Sequence, residues 1–259
     1  MRSYLIACLL FSLLTAPAIA QKKNYGNPLV KTAVILKSFT DFLVYQDEHL
    51  NLTEQFIAVD TASNIISKDS FLYLLSSGNY LPVKSNADDG YTYFQLYYLK
   101  GTDHADIRLT LKEWANQQIK YYKMEGQPLP GLNFTDINGN IYNDAGIKGK
   151  IVVLKFWFIS CAPCVAEMPA LNEIVKEYKN RDDIIFLSLA MDSKEQLIAF
   201  LTKRPFNYPV VADQRNYMLK ELKIANYPAH LIINKEGLVT HVFGKYEDMS
   251  KALKAESFK

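Results

Sequence analysis

Apolar and polar positions alternate in blocks whose period changes along the chain. From Ile151 to Phe158 the apolar run is almost unbroken and rich in Val, Phe and Trp, which predicts a buried strand. The same logic predicts a helix over 162–179, a strand over 184–190 and a helix over 194–203. A short strand near Val210, a helix over 214–222, strands over 230–234 and 238–243, and a last helix over 246–255 follow. Strands and helices taken in this order predict a central mixed sheet with helices on both faces. Upstream, Leu132 to Ile137 and Asn140 to Tyr142 flank Asn138-Gly139, a strong hairpin signal.

The first half is less regular. Ser67-Lys68-Asp69 opens a helix carrying Phe71, Leu72, Leu74 and Leu75. Tyr80 to Val83 and Tyr91 to Leu99 read as strands, and Ile107 to Met124 as an amphipathic helix. Asn51 to Asp60 is expected to be a strand, whereas Leu29 to Asp47 fits helix or strand equally. Gly126-Gln127-Pro128-Leu129-Pro130-Gly131 interrupts any regular element and marks a boundary. The expected organisation is a leader over 1–20, a smaller α+β accessory domain over 21–125 and an α/β domain over 126–259.

The leader reading rests on Arg2, the short apolar run Tyr4 to Leu14 and the small residues Ala18-Ile19-Ala20 before Gln21, the pattern of a secretory signal. Leu5-Ile6-Ala7-Cys8 has the local look of a lipoprotein box, but too little chain precedes the cysteine for a charged start and an apolar core. Retention as a membrane anchor is the other alternative. The net charge of +2 on 259 residues gives no basic excess of the kind that nucleic acid binding calls for.

Cysteine usage narrows the chemistry. Of the three cysteines, Cys8 leaves with the leader, and Cys161 and Cys164 remain. They close so short a loop that a structural bridge between them would remove little chain entropy. They also stand at a strand-to-helix junction. Unpaired backbone N–H groups and the helix dipole there lower a thiol pKa from about 8.5. Cys161 is expected at the helix cap with an exposed sulfur, and Cys164 one turn inward and more buried. Pro163 fits the first turn, where its missing N–H has no helical partner. In this reading Cys161 attacks a substrate disulfide and Cys164 resolves the mixed disulfide, and the reverse direction is chemically equivalent.

Trp157, Cys161-Ala162-Pro163-Cys164 and the helix that follows resemble the thioredoxin superfamily, and within it the TlpA/ResA-like thiol-disulfide oxidoreductases found outside the cytoplasm. The resemblance spans roughly Leu129 to Phe258 and adds Gly149 to Leu154, Glu167-Met168-Pro169 and Tyr227-Pro228-Ala229. It implies a thioredoxin-like three-layer α/β/α domain, a redox-active Cys161–Cys164 disulfide and a cis Pro228 facing Cys161. It also implies a bend at Pro169 and a Glu167 that helps deprotonate the resolving thiol. Protein thiols and disulfides become the expected substrates, a membrane electron donor the expected partner, and no cofactor is expected.

Lys155 and Ser160 depart from that family. Lys155 replaces a buried aspartate or asparagine, and it either favours the thiolate or points its stem outward to water, the second being preferred. Ser160 replaces a large residue and opens the approach to the sulfur. The competing class is a metal-binding, copper-chaperone or other binding protein on the same scaffold, with the cysteines joined by His230 or His241. Zinc asks for four ligands, and neither a second CxxC nor a nearby histidine pair exists.

Overall fold

The computed structural model describes residues 25–259 apart from Glu54 and Asp88, so the leader lies outside the described residues. The described chain begins with β1 (Asn27–Pro28), α1 (Thr32–Ile35) and α2 (Phe39–His49). The apolar stretch from Leu29 to Asp47 is therefore mainly helical. Ser38 fixes the start of α2, its hydroxyl accepting from Asp41 N at 3.1 Å. Next come β2 (Ile57–Val59), β3 (Ile65–Ile66), α3 (Lys68–Leu75), β4 (Tyr80–Asn86), β5 (Thr92–Tyr98) and α4 (Ala105–Met124). The strand expected over 51–60 shortens to β2. The Asn51 carboxamide accepts from Thr53 N at 3.0 Å, and this local turn competes with strand pairing.

These strands form one sheet in the order β1-β4-β5-β2-β3, antiparallel except for the β2/β5 pair. One core packs Phe42, Phe71, Phe94, Leu81 and Leu111 under α2, α3 and α4. Gly78 ends α3 at φ +73°, and a Cβ there would meet Arg108 O at 2.7 Å, so both the backbone and the space require glycine. Tyr93 is buried in the sheet, whereas Tyr91, Tyr97 and Tyr98 are exposed.

The second half holds the hairpin β6 (Asn133–Thr135) and β7 (Ile141–Asn143), followed by α5 (Asp144–Ile147) and β8 (Ile151–Trp157). Then come α6 (Ala162–Ala166), α7 (Met168–Glu177), β9 (Ile184–Ala190), α8 (Lys194–Leu201), β10 (Val210–Val211), β11 (Ala229–Ile233), β12 (Val239–Phe243) and α9 (Tyr246–Glu256). The helix expected over 162–179 is broken at Glu167. Pro169 has no N–H to continue the ladder, and it sits in the first turn of α7. The helix expected over 214–222 is instead a short π-helix over Tyr217–Glu221.

The second sheet runs β10-β9-β8-β11-β12, parallel across β10/β9/β8 and antiparallel across β8/β11/β12. Side chains alternate between its faces. Val152, Leu154, Phe156, Leu231 and Ile233 share a core with Met218, Leu222 and Tyr121 of α4. Ile151, Val153 and Ile232 point the other way, against Leu171 and Ile174 of α7 and Met249 and Leu253 of α9. Burying each such side chain stabilises the fold by roughly 1.5–3 kcal/mol. By the same alternation Lys155 and Trp157 belong to the α7 face. All seven residues of β8 are buried, Lys155 included.

The two sheets meet where the first runs into the second. Gly126 N donates to Val239 O at 2.8 Å and Val239 N to Gln127 O at 2.9 Å, which lays the connecting segment along β12. Glu125 accepts from His241 Nδ1 at 2.9 Å, and Lys245 Nζ stands 2.6 Å from Asp47.

Candidate functional site: the disulfide and the polar cluster beneath it

β8 delivers the chain to the site and α6 carries it away. Cys161 is the N-cap of α6, in an extended conformation, and its sulfur accepts from Cys164 N at 3.3 Å. Its sulfur is joined to that of Cys164 in a disulfide with S–S 2.01 Å and Cα–Cα 5.3 Å. Cys164 is fully buried, and Cys161 retains 6% exposure. The order of burial is as expected, but the Cys161 sulfur is less open than the cap position alone suggests. In the oxidised pair it packs in a cluster with Trp157, Met168, Leu197 and Val210. Exposed neighbours Ser160, Ala162 and Pro163 rim it on the solvent side.

The turn into the cap is held from the segment that follows β9. Ile159 N donates to Asp192 Oδ2 at 2.8 Å, and Cys161 N to Phe158 O at 3.1 Å. Trp157 is fully buried against Phe200 and Phe206. The Tyr227–Pro228 peptide is cis. Ala229 pairs with Phe156, so Pro228 enters β11 beside the end of β8. Tyr227 packs edge-on to Phe158 with ring centroids 5.5 Å apart, and its hydroxyl donates to Ile224 O at 2.6 Å.

Beneath the disulfide lies a buried polar cluster. Lys155 on β8 is paired across the ladder with His230 on β11 and with Ser188 on β9. All three are fully buried. Glu167, at the break between α6 and α7, reaches down to them. Lys155 Nζ donates to Glu167 Oε1, and His230 Nε2 stands 3.1 Å from the same oxygen, off the line of a good hydrogen bond. His230 Nδ1 and the Tyr208 hydroxyl are buried without a hydrogen-bond partner among the described residues.

Burial holds the Lys155 pKa below its ordinary value although Glu167 pulls it up. Burial acts to raise Glu167, but the contacts with His230 and Lys155 outweigh it, and the carboxyl lies below the usual glutamate value. Burial likewise pushes His230 down, Glu167 opposing it, which keeps the ring neutral at neutral pH. Burial pushes Tyr208 well up, with a smaller contribution from Glu167. The cluster therefore pairs the Lys155 amine with the Glu167 carboxylate and sets His230 and Tyr208 around them.

The profile of the AhpC/TSA family matches residues 125–242. Thiol-disulfide oxidoreductase ResA from Bacillus thuringiensis subsp. konkukian (strain 97-27) is 34% identical over 124 residues, covering 46% of this chain and 70% of that protein. The chain belongs to the ResA-like branch of the thioredoxin superfamily. Thioredoxin-like protein YneN of Bacillus subtilis (strain 168) is 28% identical over 120 residues, covering 46% of this chain and 70% of that protein. A putative thiol-disulfide oxidoreductase from Bacteroides vulgatus, solved as a crystal structure, is 22% identical. It covers 51% of this chain and 96% of that one, at TM-score 0.45.

Trp157, Ser160, Cys161, Ala162, Pro163 and Cys164 lie together at the junction, and Tyr227 and Pro228 stand just ahead of the neighbouring strand β11. One expectation is corrected. Lys155 does not send its stem outward, because β8 is covered on both faces and the nearest compensating charge is Glu167. Glu167 is itself engaged with Lys155 and His230, and those contacts hold its carboxyl below the usual glutamate value. The copper alternative also loses its third ligand, since His230 faces Glu167 and His241 pairs with Glu125. Among the described residues no three metal-ligating side chains are grouped.

Sequence reasoning missed His230 as part of the cluster, and missed Asp192 and Tyr208 altogether. One signal was present for the first: a lysine and a histidine inside the apolar runs 151–157 and 229–233 need buried partners.

Proposed function

We propose that the chain is a thiol-disulfide oxidoreductase that reduces protein disulfides outside the cytoplasm. The observation carrying this reading is the Cys161–Cys164 disulfide at the cap of α6, with only Cys161 at a rim open to a partner. The Cys161 thiolate attacks one sulfur of the substrate disulfide, the substrate S–S bond breaks, and the leaving sulfur takes a proton. The Cys164 thiolate then attacks Cys161 Sγ, which releases the second substrate sulfur and leaves the pair oxidised. Two electrons pass to the substrate, so each cycle needs an external dithiol donor. A membrane electron donor is the partner we propose.

Pro228 shapes the approach beside Cys161, and the flank of Trp157, Ser160, Ala162, Pro163 and Tyr227 forms its walls. Glu167 and Lys155 act as positioning residues through the strand and helix that carry the cysteines. Residues 126–259 are the thioredoxin-like domain in this reading and 21–125 an accessory domain. The leader pattern over 1–20 supports export, and no described helix is long and apolar enough to cross a membrane.

With dithiothreitol as donor, the protein is expected to accelerate the reduction and precipitation of insulin. Failure to accelerate it over the uncatalysed rate contradicts the reading.

A further inference from the structure

A groove of about 650 Å³ runs between the two sheets, walled by α2, α4 and the β12–α9 connection. Asn226 and Pro228 are among its lining residues, while Tyr227 between them packs on the cluster that holds both cysteines. The disulfide is not part of the groove, but the two share the cis-proline loop as a common edge. That loop therefore offers the chain flanking a cystine at the Cys161 rim a route to the groove.

The chemistry of the walls selects an occupant. Gln46, Gln118 and Asn226 each present a carboxamide that can donate and accept, the pairing a peptide backbone needs. Trp114 and Tyr121 supply aromatic surface among them. Lysines and carboxylates both line the groove, and no single sign of charge favours a polyanion or a polycation. The volume falls in the range of sites that enclose a ligand, roughly 300–1,000 Å³.

We propose that this groove docks the polypeptide segment flanking the substrate disulfide, so that residues from the N-terminal half make the protein selective for polypeptide over small disulfides. The inference rests on the reading of the chain as a reductant of protein disulfides. It assigns α2 and α4 a role in substrate recognition.

The test compares reduction of insulin with reduction of cystine, which is too small to extend from Cys161 into the groove. Gln118→Trp fills the groove from α4 and Gln46→Trp from α2; both positions are half-buried, and an unchanged melting temperature establishes folding. The ratio of the insulin rate to the cystine rate is expected to fall by about 10-fold or more in either variant, the scale on which losing one well-packed anchoring contact is felt. An unchanged ratio in both variants overturns the proposal. A wild-type protein that reduces neither disulfide overturns the oxidoreductase reading itself, a separate failure.

Discussion

Replacing Cys161 with serine is expected to lower the turnover of protein disulfides by about 10³-fold or more, the scale seen when a nucleophile is removed outright. A serine hydroxyl at the same cap keeps the hydrogen-bond geometry but forms no mixed disulfide. Cys164 cannot stand in. It is fully buried, one turn inside α6, behind the exposed rim of Ser160, Ala162 and Pro163. Beyond Cys8 there is no third cysteine to substitute. The measurement is insulin reduction driven by dithiothreitol, and a variant retaining more than about a tenth of the wild-type rate contradicts the assignment.

The second large effect concerns stability. Glu167→Gln is expected to cost about 3–5 kcal/mol, because it removes one partner of the buried Lys155–Glu167 pair. Lys155→Met alone should also destabilise, by leaving the carboxylate beside a neutral His230. The double variant should be markedly more stable than the sum of the two losses, since the removed groups compensate each other. Urea unfolding of the oxidised protein measures all three, and a Glu167→Gln loss below about 1 kcal/mol would place the pair outside the stabilising core.

The pair also shapes the acid limb. The Glu167 carboxyl binds its proton more weakly folded than unfolded, where its value is 4.5. The unfolded state therefore takes up the proton first as pH falls. The contribution of Glu167 is complete above 4.5 and is lost as pH drops through the lower folded value, so stability should fall more steeply there in the wild type than in Glu167→Gln.

The elements around the disulfide were legible because several local signals agree. The apolar run of β8, the cap geometry of Cys161, Pro163 in the first turn and the break at Pro169 all point to one strand–turn–helix. The buried cluster was not legible. Its members sit on β8, β9, β11 and the α6/α7 break, and only the ladder register brings Lys155, Ser188 and His230 onto one face. Lys155 read alone fits a stem reaching water, and only the cover over both faces of the sheet excludes that. Upstream, α1 and α2 stayed ambiguous because their apolar spacing fits either period. The turn at Tyr217–Glu221 departs from the expected α-helix through a wider hydrogen-bond pattern that apolar spacing does not encode. The inter-sheet groove depends on how two cores dock, which no local pattern reports.

The most direct measurement of the central claim is covalent capture. Reduced Cys164→Ser protein mixed with oxidised insulin should give an adduct joined through Cys161, visible by mass spectrometry without reductant and released by dithiothreitol. The same mixture with Cys161→Ser should give none. An adduct absent from the first mixture, or formed to the same extent in the second, would contradict the account.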